Sequence, residues 1–85
     1  MNIATAGNTV VPAYLALLAK GYSVSREAPD KHAAEIWRAE ARGNSFIAED
    51  RVYLLGLVAL LEVRGESWKA NDAEIERFLA TFPAS

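Results

Sequence analysis

The side chains of this sequence able to carry chemistry are few and scattered. Its single histidine, His32, stands three positions before Glu35. On a helix that spacing would turn both side chains to one face as two metal ligands. A metal site needs at least three protein donors, and there is no second histidine and no cysteine to complete one. His32 therefore reads as a solvated loop residue, and no metal or cofactor is expected. Ser23, Ser25, Ser45, Ser67 and Ser85 lie outside any G-x-S-x-G turn, and only His32 could serve as their base. Paired carboxylates do acid–base work when their environments differ. Here Glu49 and Asp50 are explained by helix capping, and Glu74 and Glu76 by a wet helix face. No glycine-rich turn leads a strand into a helix to cradle a phosphate. No catalytic residue is assigned, and the reading is of a protein that is not an enzyme.

Charge narrows the partners. The net charge is −2 over 85 residues, and up to Leu61 six acids balance six bases, so the acidic excess lies in the C-terminal quarter. A nucleic-acid binder needs a basic face to displace counterions, and none is present. Arg26, Arg38, Arg42 and Arg51 could gather as an anion-binding patch, although a solvated charged face explains them more simply. The longest apolar run, Leu54–Leu61, is too short for a bilayer, which takes about 20 residues. The absence of cysteine fits a reducing compartment, and residues 1–7 have no basic and apolar regions of a secretory signal. A cytoplasmic protein is expected, with a protein partner rather than nucleic acid or membrane.

What must position any site is the helix predicted over Arg51–Arg64, capped by Asp50 and closed by Gly65. At about 100° per residue its side chains separate into two apolar faces. Leu54, Leu57, Val58 and Leu61 form one; Val52, Leu55, Gly56, Ala59, Leu60 and Val63 form the other. A helix apolar nearly all round is buried on both sides. It is expected to lie between two layers, or between its own domain and a second subunit, with Leu54, Leu57, Val58 and Leu61 as the candidate interface. Gly56 costs about 1 kcal/mol of helix propensity relative to alanine, which points to a neighbour packed closely beside it.

The other elements follow from local signals. Residues 1–7 read as a loose tail. Asn8 or Thr9 caps a first helix with Pro12 in its opening turn, and Lys20-Gly21 ends it, with Tyr22 placed to pack back on Leu17. Leu15, Leu18 and Val11 or Ala19 line one face of it, with Tyr14 and Leu17 beside that face. Tyr22–Arg26 alternates like a half-buried strand. Asp30–Arg42 is a good helix by propensity, yet as a strand it sets Trp37, Ala39 and Ala41 on one side. A hairpin turning at Gly43-Asn44 then pairs Ala41 with Phe46 and Ala39 with Ala48, which joins Phe46 and Ala48 to that face. The strand reading is favoured on this segregation. Asn71-Asp-Ala-Glu74 resembles a capping box, and Ile75, Phe78, Leu79 and Phe82 follow at i, i+3, i+4 and i+7.

The fold class expected is a small two-layer α+β domain of order α-β-β-β-α-α, one domain over residues 1–85, with a three-stranded antiparallel sheet packed on helices. The residues Phe46-x-Ala48-Glu49-Asp50, Leu54-Leu55-Gly56-Leu57, Arg64-Gly65-x-x-Trp68 and Asn71-Asp72-x-Glu74-Ile75 resemble a pattern found in short bacterial proteins to which no function is attached. The likeness covers the C-terminal half, and Arg51 stands where those sequences carry proline. It implies no activity, cofactor or site residues. Two functional expectations remain. One is an interaction module that forms a homodimer through the Arg51–Arg64 helix and engages a protein partner as an adaptor or toxin-neutralising protein. The other is a small-ligand binder or minor enzyme with a pocket near Trp37, Tyr53 and Trp68.

Overall fold

A computed structural model describes residues 1–5, 8–28 and 35–84. Its elements are α1 (Val10–Ala19), β1 (Ser23–Glu27), β2 (Ile36–Ala41), β3 (Asn44–Ala48), α2 (Arg51–Arg64) and α3 (Asp72–Thr81), with a 3-10 turn at Gly65–Ser67 after α2. The strands form one antiparallel sheet in the order β1-β2-β3. The two-layer α+β class and the element order are as the sequence predicts, and Ile36–Ala41 is strand rather than helix. His32 lies outside the described residues.

Local chemistry sets the helix ends. Asp50 is extended, and its carboxylate accepts from the Tyr53 N–H at 2.9 Å, satisfying one of the unpaired donors of α2. Gly65, at φ 72°, closes that helix. Gly21, at φ 89°, closes α1. There the Gly21 N–H donates to the Leu18 carbonyl at 2.9 Å and the Tyr22 N–H to that of Leu17 at 3.1 Å. This is the paired geometry of a Schellman close, and it brings Tyr22 and Leu17 into one buried cluster.

The β2–β3 hairpin turns one residue earlier than expected. Arg42 and Gly43 occupy the turn at φ 51° and 79°, as a type I′ turn requires, and Asn44 begins β3. Ala41 therefore pairs with Asn44, Ala39 with Phe46 and Trp37 with Ala48. The displacement amounts to two residues, so the side-chain period of 2 preserves the predicted face. Val24, Trp37, Ala41, Phe46 and Ala48 all pack on the core. Left-handed backbone disfavours arginine. Its guanidinium offsets that cost by lying 5.1 Å over the Tyr22 ring and donating to the Lys20 carbonyl at 3.3 Å. The hairpin is thereby tied to the end of α1.

Among the described residues, Ala13, Leu17, Tyr22, Ala39, Leu54 and Val58 are buried. They join α1 and α2 to one face of the sheet. The two helices run in the same direction: Ala13 shares a cleft wall with Val52 and Leu55 at their starts, and Lys20 Nζ meets Glu62 Oε2 at 2.8 Å near their ends. The face of α1 that packs is the Leu17 side, where Tyr22 is expected to pack, and not the Val11, Leu15 and Leu18 side. Val11, Leu15 and Leu18 are exposed, while Ala13 and Leu17 are buried. Most of α1 is apolar, so amphipathicity does not choose a side; the Schellman close does, by drawing Leu17 inward with Tyr22.

Helix α2 likewise buries one side only. Leu54 and Val58 are fully buried, and Val52, Leu55, Leu57 and Leu61 are half-buried. Gly56, Ala59, Leu60 and Val63 are exposed. Among the described residues the close neighbour expected at Gly56 is absent, since a Cβ built there meets nothing within 4 Å.

Candidate interaction surface

Helix α3 carries the clearest amphipathic pattern in the sequence and buries none of its residues. Ile75, Phe78, Leu79 and Phe82 are 44% to 64% exposed along one side of it. The two phenylalanines, one turn apart, lean on each other with ring centroids 5.3 Å apart.

Arg64 anchors this helix. Its Nε donates to the Trp68 carbonyl at 2.8 Å, and its Nη2 donates to the Lys69 carbonyl at 3.4 Å and to the Glu74 carboxylate at 2.9 and 3.1 Å. One guanidinium thus grips both the connector and the first turn of α3. Glu74 is also half of the capping box: it accepts from the Asn71 N–H at 3.0 Å, and Asn71 Oδ1 accepts from the Glu74 N–H at 2.9 Å. The Asn71 backbone bond first, and then the Arg64 guanidinium, hold the Glu74 carboxyl below the usual carboxylate range.

Beside the connector a cleft of about 320 Å³ opens between β3 and the side of α2. Phe46, Ile47, Leu57, Leu60, Leu61 and Trp68 give it apolar walls, and Asn44 and Ser45 complete the lining. Because β3 is an edge strand, the cleft runs along backbone that no other strand pairs.

The residues singled out in the sequence divide accordingly. Of the candidate interface, Leu57 and Leu61 line the cleft, but Leu54 and Val58 have no exposure and belong to the core. They are the residues of that face pointing most directly at the sheet. Trp37, Tyr53 and Trp68 form no common pocket. Trp68 lines the cleft, whereas Trp37 packs on the core under the Arg51 guanidinium, 4.2 Å from its ring, and Tyr53 is exposed. Trp37 lies near the start of α2 and Trp68 just past its end, about 21 Å along a helix of 14 residues.

The arginines also separate. Arg26 and Arg51 flank Trp37, Arg42 covers Tyr22, and Arg38 on the outer face of the sheet lies 3.7 Å from Glu27 and 3.8 Å from Glu40. Glu35 pairs with Arg26 at 3.4 Å. Among the described residues no three His, Cys, Asp or Glu side chains are grouped to hold a metal ion. No described helix is long and apolar enough to cross a membrane.

The surface that sequence reasoning did not assign is the α3 stripe together with Ile47 and Leu60. Its signal was present as the i, i+3, i+4, i+7 spacing, which shows that a face is apolar but not what covers it. The chain matches no family model, curated protein or solved structure in the three comparisons made.

Proposed function

We propose that this protein is a non-enzymatic interaction module of the bacterial cytoplasm. It self-associates, and the assembly engages a protein partner as an adaptor or toxin-neutralising protein. The observation that carries this reading is α3, a well-capped helix whose whole apolar stripe touches water. An exposed apolar patch of several hundred Å² on a protein surface marks an interaction site. Asp72, Glu74 and Glu76 give α3 an acidic side, which favours encounter of the assembly with a basic partner. The lack of cysteine supports a reducing compartment.

Sedimentation of the purified chain from about 1 µM to about 1 mM tests self-association, since that range spans dissociation constants for ordinary and weak interfaces. A mass that rises from monomer to dimer is expected. A monomer throughout would sink the self-associating reading.

A second reading rests on the cleft at Phe46, Leu57 and Trp68, whose apolar walls could take a small ligand instead. In that case a metabolite would raise the melting temperature of a monomer by native-state binding. An interaction module would be indifferent to metabolites.

A further inference from the structure

We infer that the partner for α3 is the β3–α2 cleft of a second copy of this chain, and that two copies exchange their α3 helices reciprocally. This rests on the self-association reading and specifies its geometry.

Four observations on the two surfaces support the exchange. The first is size. An apolar cavity of about 150 Å³ takes one benzene ring, so a cleft of about 320 Å³ takes two. Helix α3 offers two, Phe78 and Phe82, one turn apart and already in contact.

The second is area. Ile75, Phe78, Leu79 and Phe82 on the helix, with Ile47, Leu60 and Trp68 around the cleft, are each between 40% and 64% exposed. At roughly 150–200 Å² per full side chain this leaves on the order of 600 Å² on each copy. Specific, stable interfaces begin at about 600 Å² from each partner.

The third is restraint. The Arg64 guanidinium fixes the connector and the first turn of α3 together, so the stripe is not free to swing onto its own cleft. None of the α3 residues lines that cleft.

The fourth is position. Trp68 sits on the connector to α3 and forms part of the cleft wall, so donor and acceptor surfaces adjoin on one chain. A two-fold pair can therefore satisfy both surfaces of both copies and close without forming a filament. Each docked helix would also cover the unpaired edge of β3, where a further strand could otherwise add.

Two charged variants separate helix from cleft. The pair Phe78→Glu and Phe82→Glu spoils the donor, and Leu60→Glu spoils the acceptor. All three positions are exposed in the single chain, so far-UV circular dichroism should keep its wild-type form. Each variant alone should raise the dimer dissociation constant at least about 30-fold, as loss of a central anchor does. Mixing the two variants should restore association, because the intact helix of one meets the intact cleft of the other.

Since the chain has no cysteine, Leu60→Cys and Phe78→Cys in one chain should give an oxidised dimer rather than a cross-linked monomer. A wild-type dimer that survives both glutamate substitutions on α3 would overturn the exchange and leave self-association through another face. A cross-link within one chain would also overturn it. A wild type that is monomeric throughout would overturn both readings.

Discussion

Alanine at Gly21 and alanine at Gly56 should move stability in opposite directions. At Gly56 the backbone is helical and exposed, and a Cβ meets nothing within 4 Å. The substitution therefore gains the helix propensity that glycine lacks, about 0.8–1 kcal/mol. At Gly21 the backbone stands at φ 89°, where a Cβ crowds the following carbonyl, a cost of about 1–2 kcal/mol. The new Cβ would also lie 3.2 Å from Arg42 Nη1. The guanidinium end can shift, but that side chain donates to the Lys20 carbonyl and covers Tyr22, so some of the tie between hairpin and α1 is lost. The two variants should differ by roughly 2–3 kcal/mol. For a domain of this size each kcal/mol moves the midpoint by about 4–8 °C, so their melting temperatures should lie some 10 °C or more apart, on either side of wild type. Thermal and urea unfolding followed by circular dichroism measure this, at low and high protein concentration. A Gly56→Ala protein less stable than wild type would refute the reasoning. If that loss grew with protein concentration, the back of α2 would be covered by a second copy at Gly56, and the interface would lie there rather than in the cleft.

The neighbours Leu17 and Leu18 should also part company. Leu17→Ala opens a cavity in the core and should cost about 2–5 kcal/mol in urea unfolding, whereas Leu18→Ala at an exposed position should stay within about 0.5 kcal/mol. Asn71→Ala removes half the capping box and should cost α3 about 1 kcal/mol; amide exchange should show that helix fraying while protection in the β2 core strand is unchanged. Because the folded carboxyl of Glu74 titrates below its ordinary 4.5, its contribution is present above that value and is lost as pH falls through the lowered one. Helicity of α3 should therefore decline in acid, and Glu74→Gln should give a helix weaker at neutral pH whose remaining stability depends less on acid, as read by amide chemical shifts between pH 2 and 7.

Much of the backbone was legible in the sequence because its signals are local. Asp50 before an apolar run, Gly65 after it, and Asn71 three residues ahead of Glu74 each satisfy helix-end groups within their own turn, and the structure has α2 and the capping box where those residues put them. The strand reading of Ile36–Ala41 prevailed over helix propensity because alternation along two strands put five apolar side chains on one face. A displacement of two residues in register leaves the same side chains on that face, because the pleat repeats every two. The turn itself was misplaced, since Gly43-Asn44 is the commoner pairing by composition, while the chain sets Arg42 left-handed to reach Tyr22 and Lys20. That contact joins segments about 20 residues apart, and no local rule contains it.

The sequence by itself determined which stretches become helix and strand, where they end, and which side chains share a face, because hydrogen bonding at chain ends and side-chain period act over a few residues. Only the tertiary structure decided which apolar face of α1 and of α2 meets the sheet, because both helices offer apolar side chains nearly all round and the choice depends on neighbours distant in sequence. It also decided that the stripe of α3 finds no cover among the described residues. Arg64 fixes that helix away from the body, and the apolar surface so exposed can leave water only against another molecule.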